Sequence, residues 1–165
     1  MKTINKTILA LFPNRWGVGY AVFNTPKDLV DYGIGYVQPV SNKKSIERIK
    51  KYIDYFKPDI VLIRNIPKSS MRKCKRTKKL ITTISKIIKS QNLKIYEYSR
   101  TQIKEVFEQF DVSSKFEITK KLIEWFPFLE SLGFAKRKKW MTENNNMGIF
   151  DAISLGITHF YLQNF

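Results

Sequence analysis

Basic side chains are concentrated in one stretch of the sequence, where they are suited to binding phosphate groups. Seven of the residues from 68 to 79 are lysine or arginine. In a helix each residue turns by about 100°, so several of these cations lie on the side opposite the apolar residues of the same helix. Two later lysines extend this cationic side. This predicted cationic face consists of Arg72, Lys75, Arg76, Lys78, Lys79, Lys86 and Lys89. Solvated helix faces usually include glutamate for i,i+4 pairing, but no acidic residue lies between Arg72 and Lys89, so the pattern favours an anion-binding surface.

A second basic cluster lies further along the chain and has an aromatic residue beside it. Its cations are Lys136, Arg137, Lys138 and Lys139. The adjacent Trp140 is suited either to stacking on an unpaired base or to anchoring the segment to the core. Cations of this kind bind the backbone of a nucleic acid without reading its sequence.

The overall composition favours a folded, basic protein with a polyanionic partner. The 165 residues have a formal net charge of +16, which indicates nucleic acid before membrane, and we predict one domain over residues 1–165. The single cysteine, Cys74, and the single histidine, His159, exclude an internal disulfide and a cysteine- or histidine-rich metal site. No apolar run approaches the ~20 residues needed to span a membrane, and no signal peptide is visible, so we expect a cytoplasmic protein.

Hydrophobic periodicity and turn residues predict the elements that position these side chains. Three strands joined by short turns indicate an antiparallel meander, and two later apolar runs indicate buried parallel strands. The strands are predicted at residues 8–12, 17–23, 29–37, 59–63 and 93–98. Helices are predicted from Ser41 or Asn42 to Phe56, over 71–90, from Ser99 to Phe110, from Ser113 or Ser114 to Trp125, and over 148–162.

The order of these elements predicts an α/β fold. A meander followed by βαβ units gives a mixed five-stranded sheet with helices on both faces. Residues 135–147 are polar and basic and are predicted to form a loop before the last helix.

Four segments carry a resemblance to a known family. They are the opening hairpin at 8–23, the strand and turn at 95–104, the helix start at 113–118 and the final helix at 150–159. In this order and spacing they resemble the RuvC family of Holliday-junction resolvases, which have an RNase H-like fold. The resemblance implies that fold across most of the chain, a DNA partner, and two-metal cleavage that depends on four carboxylates.

The carboxylates that the resemblance implies are mostly missing. Their positions correspond to Phe12, Arg64, Gly148 and Asp151, and only Asp151 is acidic. Mg²⁺ needs oxygen ligands, so we predict no metal site and no cofactor, and we expect Asp151 to form an ion pair with Arg64. The resemblance also places Lys104 and Lys115 among lysines that contact phosphate near the active site.

Other acidic residues could replace the missing ligands only if they lay nearby. Glu143, in the loop before the last helix, and Asp31, on the third strand, are the candidates, although a solvated position is the simpler expectation for both. A junction-binding protein of this kind would also need a dimer face. The candidate residues, which more often fill a core, are Phe107, Phe110, Trp125, Phe126, Phe128 and Phe134.

These patterns predict a catalytically degenerate RuvC-like protein that binds structured or double-stranded nucleic acid, with DNA favoured, through a basic face. One alternative is an active Mg²⁺-dependent junction endonuclease with a rearranged set of acids. Another is a non-catalytic scaffold that forms a heterodimer with an intact nuclease. As partners of the chain we consider a second copy, in a homodimer, or an intact nuclease, in a heterodimer. A basic domain with no nucleic-acid partner is the remaining possibility, and it predicts no salt-dependent binding.

Overall fold

The fold is centred on one β-sheet, which a computed structural model describes for residues 5–67 and 75–163. The strands are β1 (Ile8–Asn14), β2 (Gly17–Thr25), β3 (Asp28–Tyr36), β4 (Ile60–Asn65) and β5 (Lys94–Ser99). The helices are α1 (Asn42–Phe56), α2 (Lys75–Ser90), α3 (Arg100–Glu108), α4 (Lys115–Trp125) and α5 (Met147–Leu162). A short 3₁₀ helix, Pro127–Leu132, follows α4 and was not predicted.

The sheet is mixed, as the element order predicts. Its strands lie in the order β3-β2-β1-β4-β5. The first three form an antiparallel meander, whereas β4 runs parallel to both β1 and β5. The carboxyl ends of β1, β4 and β5 therefore meet at one edge, and α2 and α3 begin beyond it because each follows one of these strands.

The sheet separates two apolar layers. Helices α1 and α2 cover one face, where they pack on residues such as Leu9 and Leu11. Helices α3, α4 and α5 cover the other face, which includes Ala10 and Phe12. Successive side chains of a strand point to opposite faces, so Phe12 and Arg64, at matching positions of β1 and β4, share the α5 side.

Helix α5 is the central helix of the fold. Every residue from 147 to 160 is buried, so no side of this part of the helix faces solvent. Its backbone closely approaches β2, because a Cβ added to Gly19 would overlap the carbonyl oxygen of Gly148. No helix within residues 5–67 and 75–163 combines the length and the apolar character needed to cross a membrane.

Serine side chains fix the starts of the other helices. Ser41 caps α1 by accepting a hydrogen bond from the amide of Lys44, and Ser114, rather than Ser113, caps α4. Ser99 forms a capping box with Gln102 at the start of α3, which aligns the first residues of that helix at the end of β5. The predicted start of the second helix at residue 71 lies outside the described residues.

Candidate functional site

Phe12 lies near the carboxyl end of β1, at the edge where β1, β4 and β5 end. Its ring is buried, with 4% of its surface exposed. The Cζ atom of Arg64 is 4.4 Å from the centre of this ring and that of Arg100 is 5.3 Å away. A cation over an aromatic ring is attracted by about 0.5–2 kcal/mol, so the ring holds both guanidinium groups at the sheet edge.

Asp151 is paired with an arginine that the sequence did not indicate. Its Oδ1 accepts a hydrogen bond from Nη2 of Arg100 at 2.7 Å, and the carboxylate side chain is only 5% exposed. We expected Arg64 in this role, but Arg64 donates to the carbonyl oxygen of Pro13 at 3.1 Å. Arg100 takes the place because it is the first residue of α3 and leaves the sheet at the end of β5.

Arg76 belongs to this edge as well, which corrects its assignment to a solvent-facing surface of α2. Its Nη1 donates to the side-chain oxygen of Asn42 at 3.0 Å, and its Nη2 donates to the carbonyl oxygen of Asn14 at 3.4 Å. Arg64 donates to the carbonyl oxygen of Pro13, the residue before Asn14. The guanidinium groups of Arg64 and Arg76 therefore bind adjacent carbonyl groups at the end of β1. We call Arg64, Arg76 and Arg100 the arginine cluster.

The residues at the sheet edge do not fit a two-ion site. Phe12 offers no oxygen ligand, Arg64 is cationic, and Gly148 has no side chain, while the carboxylate of Asp151 is bound by Arg100. Among the residues described, no group of three histidine, cysteine, aspartate or glutamate side chains lies together as a metal ion would require.

Neither candidate replacement acid joins Asp151 in such a group. Glu143 is not simply solvated: its Oε2 forms an ion pair with Nζ of Lys115 at 3.1 Å, and its side chain is 34% exposed. Asp31 lies on β3, with β2 between it and β1, and accepts a hydrogen bond from the amide of Tyr32. The ion pair between Lys115 and Glu143 ties the loop before α5 to the start of α4.

The described part of α2 presents a row of cations. Lys75, Lys79, Lys86 and Lys89 are exposed and Lys78 is half-buried. The opposite side of the helix is buried through Leu80, Ile81, Ile84 and Ile88. Arg72 of the predicted face lies outside the described residues. We call the exposed lysines 75, 79, 86 and 89 the lysine row.

The second basic cluster is exposed along the loop before α5. Lys136, Arg137, Lys138 and Lys139 are all exposed, as is Lys104 on α3. Trp140 is 79% exposed and Nζ of Lys138 lies 5.2 Å from its ring centre. The interpretation of Trp140 as a core anchor is therefore wrong, and its ring is accessible to a ligand.

A cleft of about 850 Å³ opens beside these cations. It lies between the end of β3, the start of α4 and the loop before α5, and Tyr36, Lys115, Phe134 and Glu143 are among its walls. No pattern in the sequence predicts this cleft, because the loop that closes it has no periodicity.

A buried polar pair lies in the core behind the arginine cluster. The hydroxyl of Tyr98 is 2.7 Å from Nδ1 of His159. Burial lowers the pKa of His159 to about 4 and raises the pKa of Tyr98. His159 is therefore neutral at neutral pH and adds no charge to the site.

The aromatic residues considered for a dimer face mostly pack inside the chain. Phe107 and Phe126 are buried, whereas Phe128 is 53% exposed. The remaining candidates are half-buried, namely Phe110, Trp125 and Phe134.

The strand order, the meander and the central helix define a RuvC-like fold of the RNase H-like class. The structure of Thermus thermophilus RuvC in complex with a Holliday junction substrate is similar to this chain with a TM-score of 0.61 and 16% identity, over 96% of each chain. The yeast mitochondrial Holliday junction resolvase Ydc2 is similar with a TM-score of 0.60 and 11% identity, over 96% of this chain and 82% of that one. No family model matches the sequence, and no curated protein matches it.

Proposed function

We propose that this protein binds nucleic acid through the carboxyl edge of its sheet and does not cleave it by a two-metal mechanism. The observation that carries the proposal is the arginine cluster around Phe12 and Asp151. Among the described residues, the three guanidinium groups of the cluster lie at this edge with the carboxylate of Asp151, and that carboxylate already forms an ion pair with Arg100. The local surplus of positive charge favours an anionic ligand and opposes the binding of Mg²⁺.

Guanidinium groups are suited to the phosphodiester backbone. Each presents its N–H donors in a planar fork that matches two phosphate oxygens. Arg64 and Arg100 are held by the same aromatic ring, so their orientation is set before a ligand arrives. Pre-ordered cations lose less side-chain entropy on binding than flexible ones.

The lysine row extends this surface along α2. Lys75 and Lys89 are about 21 Å apart along the helix, at 1.5 Å per residue. A nucleic-acid strand rises about 3.4 Å per nucleotide, so the row spans about six phosphates. These contacts carry no base information, which supports recognition of the backbone and its shape.

The salt dependence of binding tests the lysine row. Each neutralised phosphate contributes about 0.9 to the slope of log affinity against log salt, so Lys75→Ala with Lys79→Ala should make the slope shallower by about 1.8. A matched control replaces Lys6, which precedes β1, and Lys94, which is the first residue of β5; both are exposed at the opposite edge. Affinity that does not change with salt, or equal effects of the two pairs, would contradict the proposal.

The choice of nucleic acid is tested by comparing a four-way DNA junction, a DNA duplex, an RNA duplex and a single strand. DNA of structured or double-stranded form is the expected ligand, bound with or without Mg²⁺ and without products. Sedimentation of the same complexes separates a monomer from a homodimer, and an added intact nuclease tests the scaffold alternative. Metal-dependent products that disappear in Asp151→Asn would instead support the active nuclease.

A further inference from the structure

The cleft beside the second basic cluster lies at one end of the proposed nucleic-acid edge. Tyr36, at the end of β3, is paired with Gly17, which is in turn paired with Asn14 at the end of β1. Strands lie about 4.8 Å apart and rise about 3.3 Å per residue, so Tyr36 and Arg64 are separated by about 15 Å along this edge. A backbone bound to the arginine cluster can therefore reach the cleft within a few nucleotides.

The walls of the cleft include aromatic surface that a base could stack on. Tyr36, which is 47% exposed, lines the cleft together with Phe116 and Phe134, which are half-buried. Met141, which is 50% exposed, adds a flexible apolar contact. Stacking on aromatic side chains is the usual way in which proteins hold bases that have left a helix.

Ordered amide groups lie in the same wall. The side-chain oxygen of Asn144 accepts a hydrogen bond from the amide of Asn146 at 2.9 Å, and Nδ2 of Asn146 donates to the carbonyl oxygen of Leu132 at 3.1 Å. Asn145, between them, is exposed at the cleft. A carboxamide offers a donor and an acceptor together, which matches the hydrogen-bonding edge of a base.

The charge of the cleft favours an anionic ligand. Among the described residues, its walls contain three cationic residues, Lys115, Lys136 and Arg137, and one acidic residue, Glu143. The ion pair between Lys115 and Glu143 leaves the two exposed cations of the loop to attract a phosphate group. The volume of about 850 Å³ lies within the range of ~300–1,000 Å³ typical of small-ligand sites.

We propose that this cleft binds one unpaired nucleotide of the nucleic acid whose backbone lies on the arginine cluster, with its base against Tyr36. The inference rests on the proposed function but adds a preference that the basic surface alone does not provide. A cationic surface binds paired and unpaired strands through the same phosphates, whereas an aromatic cleft accepts only a base that is free of its partner.

The test uses two DNA duplexes that differ in one bulged 2-aminopurine, whose fluorescence falls when it stacks. Because stacking on an aromatic side chain strengthens the binding of each base, the wild-type protein should bind the bulged duplex about tenfold more tightly and quench the probe. Tyr36→Ala should remove both effects while leaving affinity for the fully paired duplex unchanged. The exposed side chain of Tyr36 makes this variant compatible with folding, which circular dichroism verifies.

The matched control is Tyr55→Ala, which removes a ring that is 80% exposed in the last turn of α1, towards the opposite edge. This control should retain both the preference and the quenching. Equal affinity of the wild-type protein for the two duplexes would overturn the cleft inference and leave the proposed function standing. Binding to neither duplex would overturn both, and a loss of preference in Tyr55→Ala equal to that in Tyr36→Ala would overturn the assignment to this cleft.

Discussion

Replacing Arg100 by methionine should destabilise the protein, because it removes the partner of a carboxylate that cannot reach water. The side chain of Asp151 is 5% exposed and that of Arg100 is 34% exposed. Methionine retains much of the apolar stem that packs beside Phe12 but carries no donor. The comparison variants are Asp151→Asn, which keeps the shape of the side chain, and the double replacement.

The expected cost follows from the burial of the two partners. Removing one member of a fully buried ion pair costs about 3–5 kcal/mol, whereas exposed pairs contribute about 0–1 kcal/mol. Because a third of Arg100 is exposed, we expect Arg100→Met to lower the free energy of unfolding by about 2–3 kcal/mol. Asp151→Asn should cost about 1 kcal/mol, because the amide is neutral and the guanidinium can turn towards solvent.

The double variant separates the ion pair from general damage to the core. Its cost should lie about 2 kcal/mol below the sum of the single costs, because a neutral amide no longer needs the guanidinium. Urea unfolding followed by tryptophan fluorescence measures all four proteins, and the slopes should be equal. Additive costs, or a smaller cost for Arg100→Met than for Asp151→Asn, would refute the buried ion pair as the reason that Arg100 is needed.

Two further predictions concern the core behind the site. Burial lowers the pKa of His159 from 6.5 to about 4, so as the pH falls the unfolded chain binds a proton before the folded protein does. The stability that the neutral histidine confers is therefore complete above pH 6.5 and should be lost between about pH 6.5 and pH 4. The free energy of unfolding, measured in urea at each pH, should fall by about 3 kcal/mol in the wild-type protein and not in His159→Gln. An equal dependence on pH in the two proteins would contradict this account. Gly19→Ala should cost about 3 kcal/mol or prevent folding, because its Cβ would overlap the backbone of Gly148, whereas Gly33→Ala meets only the ring of Tyr20 and should cost less in the same assay.

The fold could be predicted because its signals are local and repeat along the chain. Ser41, Ser99 and Ser114 accept the hydrogen bonds that begin three of the helices, and these residue types are strong caps in any context. Alternating and continuous apolar runs distinguish the meander from the parallel strands. Together they predict the mixed five-stranded sheet that is observed.

The pairing within the candidate site could be predicted only in part. The resemblance assigned Phe12 and Arg64 to one site, and they do share the edge at which neighbouring parallel strands end. Which arginine reaches Asp151 depends on the first turn of α3 and on the direction of a long side chain, and neither has a periodic signal. One clue was present, since Arg100 directly follows a serine cap at the end of the strand beside β4.

The cleft depends on the path of a loop rather than on the pattern of an element. The ion pair between Lys115 and Glu143 joins residues far apart in the sequence and holds that loop against α4. The same pair explains why Glu143 is not a freely solvated acid. Contacts of this kind follow from the folded structure and leave no spacing by which they could be recognised beforehand.

The most direct measurement of the central claim is the affinity for a four-way DNA junction in Mg²⁺, in Mn²⁺ and in excess chelator at equal ionic strength, with the products resolved on a denaturing gel. The arginine cluster predicts similar affinity in all three conditions, an intact junction, and weaker binding when Arg64 is replaced by alanine. Strand cleavage that requires a divalent ion and disappears in Asp151→Asn would contradict it.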